Sequence, residues 1–343
     1  MAGYPKCEWR HFLRANSPEG AAHTNIGPNA SAPWLTVIIP SYQGEKWIAT
    51  ALASIAAEPT HGIEVLVIDG SPTHAARNIA HSYSDRLRLK VFERSDLQSW
   101  QQKTNFGVAS AESSHVCWLG VDDVWLPGRA LAVKAWIEAA PNAAIHLAPS
   151  AIIDQNGRVL GVWRCPLSAN IELSSSLVLD RLLVQNFVAA PAPVFRRDTW
   201  IACGGLDEKL WYSADWDIWL ALVGTGPVYY HDPITVGFRI HEDSLTSTGS
   251  RDAGNFANQM QMVLDRHISK HPGLSTSTEP VARASIAVNV ALASASAGNL
   301  NGLWRAGTGI LRLGPAGIRR YLRDSRIVER VAPRVRAKLA KVF

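Results

Sequence analysis

The first third of the chain alternates short apolar runs with turn residues and amphipathic stretches. Leu35 to Pro40 is β-branched and closed by proline, which predicts a buried parallel strand. Ser41, Tyr42, Gln43 and Gly44 form the turn after it, and Glu45 to Ala57 carries Trp47, Ile48, Leu52 and Ile55 near helical spacing. Ile63 to Ile68 repeats the unit, apolar apart from Glu64, before Asp69-Gly70-Ser71-Pro72 turns into a helix through Tyr83. A third strand is expected over Leu87 to Phe92, a helix over Ser99 to Ala111, a fourth strand over Val116 to Val121 and a helix over Leu126 to Ala139. Strand, turn, helix and strand in this order predict right-handed parallel crossovers.

The pattern changes after residue 140. Asn156-Gly157 between apolar segments signals a hairpin within Ile145 to Trp163. Leu177 to Gln185 reads as helix, and Phe187 to Phe195 as an extended, edge-like stretch because it holds two prolines. Ser213 to Val223 has a helical period with two acids at its start, short strands follow at Val228 to Tyr230 and Ile234 to Arg239, and from Arg251 onward nearly everything is helical. Residues 1–33, rich in proline, glycine, asparagine and serine, read as a loosely packed N-terminal arm.

Chemistry first enters at Val116 to Asp123, where an apolar run stops on two adjacent acids, Asp122 and Asp123. Loops at the C-terminal ends of strands form the ligand crevice of an open α/β sheet. Neighbouring carboxylates repel unless a cation or hydrogen-bond donors compensate. Mg2+ or Mn2+ suits such a pair, because it takes one or two carboxylates and fills its shell with water and phosphates. The other reading is that both acids cap the helix beginning near Pro127.

Composition narrows the choice. The 343 residues, 47% of them apolar, can bury a substantial core. Cys7, Cys117, Cys165 and Cys203 show no paired spacing, so a zinc site or disulfide framework is not expected and a reducing compartment fits. No apolar stretch is continuous enough for a secretory signal or a membrane span. No Gly-x-Gly-x-x-Gly or P-loop follows the first strand, which removes the usual dinucleotide and P-loop phosphate cradles.

Five segments together resemble the inverting family 2 glycosyltransferases of GT-A fold. They are Val37-Ile38-Ile39-Pro40-Ser41-Tyr42, Val65-Leu66-Val67-Ile68-Asp69-Gly70-Ser71, Leu119-Gly120-Val121-Asp122-Asp123 with Pro127-Gly128, Gly204-Gly205-Leu206-Asp207, and Ala214-Asp215-Trp216-Asp217-Ile218-Trp219-Leu220. The resemblance implies a three-layer α/β/α sandwich with a mostly parallel central sheet. It divides the chain into a GT-A domain over 34–248 (a nucleotide-binding half, 34–140, and an acceptor half, 141–248) and a helical C-terminal extension, 249–343. It also implies transfer of one sugar from a UDP- or GDP-sugar to a glycan or lipid-linked acceptor, as in polysaccharide biosynthesis.

By the family pattern Asp215 is the general base, with Asp217 as runner-up about 200° around the helix. Asp122 and Asp123 would hold Mg2+ or Mn2+ beside the departing diphosphate, joined by His241. Pro40, Ser41, Tyr42, Glu45, Asp69, Asp96, Asn105, Asp122 and Arg239 would contact the donor nucleotide; Asn105 is offset by one residue from the commonest spacing. Asp69 can instead make a local turn with Ser71. Gly120 stands where a strict Asp-x-Asp triplet would have its first acid, and the Gln-x-x-Arg-Trp type of motif of processive synthases is missing, which points to transfer of a single sugar.

The net charge of +5 gathers at the C-terminus, where eleven Arg and Lys from Arg305 to Lys341 face only Asp324 and Glu329. Interleaved apolar residues make Ile310 to Val342 either a basic amphipathic membrane-surface helix or a helix packed on the domain with a solvated basic face. Nucleic acid is not an expected partner, since exposed aromatics are not interleaved with these charges. The expected location is cytoplasmic, including the inner face of the membrane. A catalytically silent sugar-nucleotide scaffold and a nucleotidyltransferase are the alternatives; the intact acids weigh against the first and the missing glycine-rich loop against the second.

Overall fold

The computed structural model describes residues 32–241, 252–296 and 298–340. The arm at 1–31 with Cys7, the segment Glu242 to Arg251, Ala297 and the end of the basic tail, 341–343, lie outside the described residues.

Three strands, β1 (Leu35–Ser41), β2 (Ile63–Asp69) and β3 (Arg88–Glu93), pair in parallel. Helices α1 (Ile48–Ala56) and α2 (Ala75–His81) connect them, and α3 (Trp100–Ser110) leads to β4 (His115–Trp118), parallel to β1. These strands are buried on both faces, which is why they read as continuous apolar runs rather than alternating ones. Glu64, the exception in β2, is paid for locally: Lys90 Nζ donates to Oε1 at 2.8 Å and Thr36 Oγ1 to Oε2 at 2.9 Å.

A two-residue strand, β5 (Val124–Trp125), and α4 (Arg129–Ala139) follow; then come β6 (Ile145–Leu147), β7 (Ser150–Ile153), β8 (Val159–Trp163), β9 (Glu172–Leu173) and α5 (Ser175–Val184). Strand β10 (Val194–Arg196), α6 (Arg197–Cys203), α7 (Ala214–Val223), β11 (Val228–Tyr230) and β12 (Val236–Arg239) complete the sheets. The large sheet has the order β3-β2-β1-β4-β10-β6-β11-β9, with β10 and β9 antiparallel to their neighbours. A smaller sheet, β5-β12-β7-β8, contains the Asn156-Gly157 hairpin. Helices cover the large sheet on both faces, giving the expected α/β sandwich.

Two boundaries differ from expectation. The fourth strand leaves the sheet after Trp118 rather than Val121, because Asp123 N bonds back to Gly120 O at 3.0 Å and closes a turn. Of the extended Phe187 to Phe195 stretch only Val194 and Phe195 are strand, next to an aromatic core in which Trp118 stacks on Trp219 (4.7 Å) and Phe195 on Trp200 (4.6 Å).

The C-terminal helices are α8 (Ala253–Ile268), α9 (Pro272–Ser296), α10 (Asn301–Arg312), α11 (Gly314–Ser325) and α12 (Ile327–Ala340). Helix α11 is tied to α5 by Arg320, which pairs with Asp180 at 2.6 Å. Helix α12 packs on β8, where Pro333 stands so close that a Cβ on Gly161 would meet it at 2.7 Å. The tail is therefore docked on the domain, and its face toward the domain is not solvated. No helix among the described residues is long and apolar enough to cross a membrane.

Candidate active-site cleft

Because β1 and β4 lie side by side and parallel, the loops after them, 40–44 and 119–123, open into one crevice. The cavity there has a volume of about 790 Å³. Its other walls come from the start of α3, Asn186 after α5, the start of α7, the end of β12, and α12.

The acidic turn is held by Arg239. Its backbone N donates to Asp123 Oδ1 at 2.8 Å, Nε to Asp122 O at 2.6 Å and Nη1 to Asp154 O at 2.7 Å. His241 Nε2 lies 2.9 Å from Asp122 Oδ2. The two remaining carboxylate oxygens converge: a Cβ at position 120 would stand 2.7 Å from Asp123 Oδ2 and 2.9 Å from Asp122 Oδ1. Glycine at 120 thus keeps open a hollow between two acids.

Burial, followed by the Asp122 charge, pushes the Asp123 carboxyl well above the usual carboxylate range. The site is short of positive charge, and two oxygens facing a hollow suit a hard divalent ion that completes its shell with water and phosphate. Among the described residues no three His, Cys, Asp or Glu side chains gather to hold a metal by themselves.

On the β1 side, Tyr42 is 56% exposed, with Lys103 Nζ 5.5 Å from its ring centroid. Lys103 is buried, which pushes its ammonium down, opposed by the charge of Asp69. Ser41 Oγ is closed to solvent and makes no hydrogen bond among the described residues, an unspent polar group at the cleft wall. Trp47 carries Lys46 at 4.6 Å and Arg239 at 4.7 Å from its ring, and its ring tilts against His241 at 5.3 Å.

Across the cleft, Asp215 sits in the first turn of α7. Its Oδ1 accepts from Trp216 N at 2.7 Å and its Oδ2 from Asn186 Nδ2 at 3.1 Å. Burial outweighs both bonds and raises its pKa to about 6. Asp217 faces the other way, onto α8, where His267 Nε2 (2.8 Å) and Arg266 Nη1 (2.7 Å) bind it. Burial opposes its ionisation, but His267 and Arg266 prevail and hold Asp217 below the usual range.

Pro40, Ser41, Tyr42, Asp122, Asp123, Asp215, Arg239 and His241 all line this one cleft. Asp69, Glu45, Asp96 and Asn105 do not. Asp69 is fully buried beneath it, accepting from Ser71 Oγ at 2.7 Å and Arg77 Nη1 at 3.2 Å, the local turn bond of its alternative reading. Glu45 is exposed in the turn before α1, and Asp96 is exposed and chelated by Arg94. The Asn105 amide is committed to the backbone of Leu206, at 2.9 Å in each direction. Sequence reasoning did not single out Asn186, Tyr212, Trp163, Arg330 or Arg334. Of these only the arginines left a signal, a four-residue spacing that puts both on one helix face.

The model of the family described as glycosyl transferase family 2 matches residues 36–172, which hold β1 to β4 and the acidic turn. An uncharacterized glycosyltransferase of Rickettsia typhi is 23% identical over 224 residues, 64% of this chain and 68% of its own length. The PGL/p-HBAD biosynthesis glycosyltransferase of Mycobacterium bovis BCG is 27% identical over 191 residues, 54% of this chain and 68% of its own.

Residues 36–172 carry a family 2 glycosyltransferase domain.

The fold of this glycosyltransferase extends the likeness beyond the matched residues. The crystal structure of S. aureus TarS 1-349 in complex with UDP-GlcNAc superimposes with a TM-score of 0.54 at 18% identity, covering 86% of this chain and 90% of that one. The fold is accordingly GT-A with a C-terminal helical region. The relative from Rickettsia felis is longer, and the alignment spans 37% of it.

Proposed function

We propose that this glycosyltransferase moves one sugar from a UDP- or GDP-sugar to a hydroxyl of a glycan or lipid-linked acceptor, with inversion at the anomeric carbon and Asp215 as general base. The observation that carries the reading is that Asp215, with its pKa raised to about 6, lines the same cleft as the Asp122–Asp123 turn. Inversion needs a base on the sugar face opposite the departing group, and a base works best with a pKa near the operating pH. Asn186 orients the carboxylate, leaving it free to take the acceptor proton.

Asp122 and Asp123 would hold Mg2+ or Mn2+ in the hollow that Gly120 leaves open. When bound, the ion would neutralise charge building on the diphosphate. The chain's own contribution there is to fix the turn through Arg239, to orient Asp122 through His241, and to present Ser41, Tyr42 and Lys103 to the nucleotide. Asp69 then acts from below, by holding the charge of Lys103.

Membrane contact at the inner face has one specific observation in its favour. Helices α10 and α11 leave Trp304 (79%), Leu311 (69%) and Leu322 (53%) exposed among arginines.

Donor hydrolysis across UDP- and GDP-sugars, with Mg2+ or Mn2+ and with EDTA, tests the donor and metal. Hydrolysis of one nucleotide class that EDTA abolishes is expected. Binding of neither UDP nor GDP would refute the reading.

A further inference from the structure

Five arginines in and between α11 and α12 divide into two groups. Arg320, Arg323 and Arg326 each have a carboxylate partner, in Asp180, Asp324 and Glu329. Arg330 and Arg334 have none among the described residues, and both reach the cleft. Arg330 Nη2 donates to Asn289 Oδ1 at 3.1 Å, while its Nε and Nη1 are closed to solvent and meet no hydrogen-bond partner among the described residues. Arg334 Nη1 donates to the Arg330 carbonyl at 2.6 Å, and its guanidinium lies 6.0 Å from the Trp163 ring centroid. Burial, and then the charge of Arg334, push Arg330 down to about 10.

Two buried, unsatisfied donors on Arg330, beside a second guanidinium, are costly unless an anion meets them. Guanidinium forks match phosphate oxygens bidentately, and a doubly charged phosphate balances two arginines where one carboxylate would not. Their place in the cleft decides which phosphate. Both act on the buried Tyr212 hydroxyl, as does the general base Asp215, whereas the donor side holds its own cations, Lys103 and Arg239.

Resting on the function proposed above, we infer that Arg330 and Arg334 bind a phosphate group carried by the acceptor, next to the hydroxyl that Asp215 deprotonates. The acceptor is then a phosphorylated alcohol, either soluble or anchored in a lipid surface. Helix α12, docked through Pro333 on β8, is one wall of the acceptor site.

The test is calorimetric titration of inorganic phosphate into the full chain saturated with UDP or GDP, for the wild type, Arg334→Gln and Arg330→Gln. Phosphate affinity should fall at least tenfold in both variants while nucleotide affinity stays within twofold, and Arg334→Lys should recover part of the loss. Unchanged phosphate affinity would overturn the inference. So would a parallel loss of UDP or GDP affinity, since the arginines would then serve the donor diphosphate. Wild-type failure to bind either nucleotide would instead refute the donor reading itself. Co-sedimentation with phosphatidylcholine vesicles with and without phosphatidic acid separates the sources: arginine-dependent capture by phosphatidic acid supports a lipid-borne phosphate, and titration by soluble phosphate without capture supports a soluble one.

Discussion

Replacing Asp215 by Asn keeps its shape and removes its proton-accepting charge. Burial raises the Asp215 pKa to about 6, so in the folded protein it is ~90% ionised at pH 7 and ~10% at pH 5. The wild-type kcat/KM should therefore fall about tenfold per pH unit below pH 6, and Asp215→Asn should lose ~10²–10⁴-fold in transfer at pH 7.5.

The sign of the stability effect is opposite to that of a structural carboxylate. A folded pKa above the unfolded value means that the folded state binds the proton more tightly. Stability is highest below the unfolded pKa, near 4, and is lost as pH rises through 6. The ionised group then costs on the order of 2–3 kcal/mol at pH 7.5. Asparagine removes that cost but can keep only one of the two bonds, to Trp216 N and Asn186, so Tm at pH 7.5 should hold or rise slightly. Sugar release from the donor by pH-stat or nucleotide-coupled assay, with thermal unfolding in parallel, reads both quantities. Unchanged transfer, or a loss of transfer that tracks a fall in Tm, would refute the role of Asp215.

Three further outcomes follow from the same geometry. Gly120→Ala places a methyl group within 3 Å of Asp122 Oδ1 and Asp123 Oδ2, so the Mn2+ concentration for half-maximal activity should rise at least tenfold with little change in Tm. Arg239→Lys loses the Nε and Nη1 bonds that fix the acidic turn; donor KM should rise about tenfold, measured by steady-state kinetics. Asp217→Asn leaves buried His267 facing a neutral group, while Arg266 keeps Asp207; this should cost ~2–3 kcal/mol in chemical denaturation while the pH profile of the folded enzyme keeps its inflection near 6.

Much of the fold up to residue 140 was legible because its strands are buried on both faces and end on turn chemistry. The parallel crossover from β1 to β2, the hairpin at Asn156-Gly157 and the acids of Asp122-Asp123 all follow from residues adjacent in sequence. What could not be read depends on distant partners. Asp69 looks the same in sequence whether it faces a ligand or, as here, Arg77 and Ser71 beneath the cleft. Asn105 holds Leu206, and no local pattern announces a bond across that separation. The strand ending at Trp118 was extended too far because Leu119 and Val121 are apolar, although the turn closed by Asp123 governs there. The arginine-rich tail gave its charge and periodicity, but only its docking on β8 reveals that two of its arginines turn inward.

The most direct test of the central claim is an anomalous-difference map from crystals grown with Mn2+ and the nucleoside diphosphate that binds. A peak between the carboxylates of Asp122 and Asp123, touching the diphosphate and facing Asp215 across the cleft, is the predicted result. Nucleotide and Mn2+ bound elsewhere on the molecule, with the cleft empty, would contradict it.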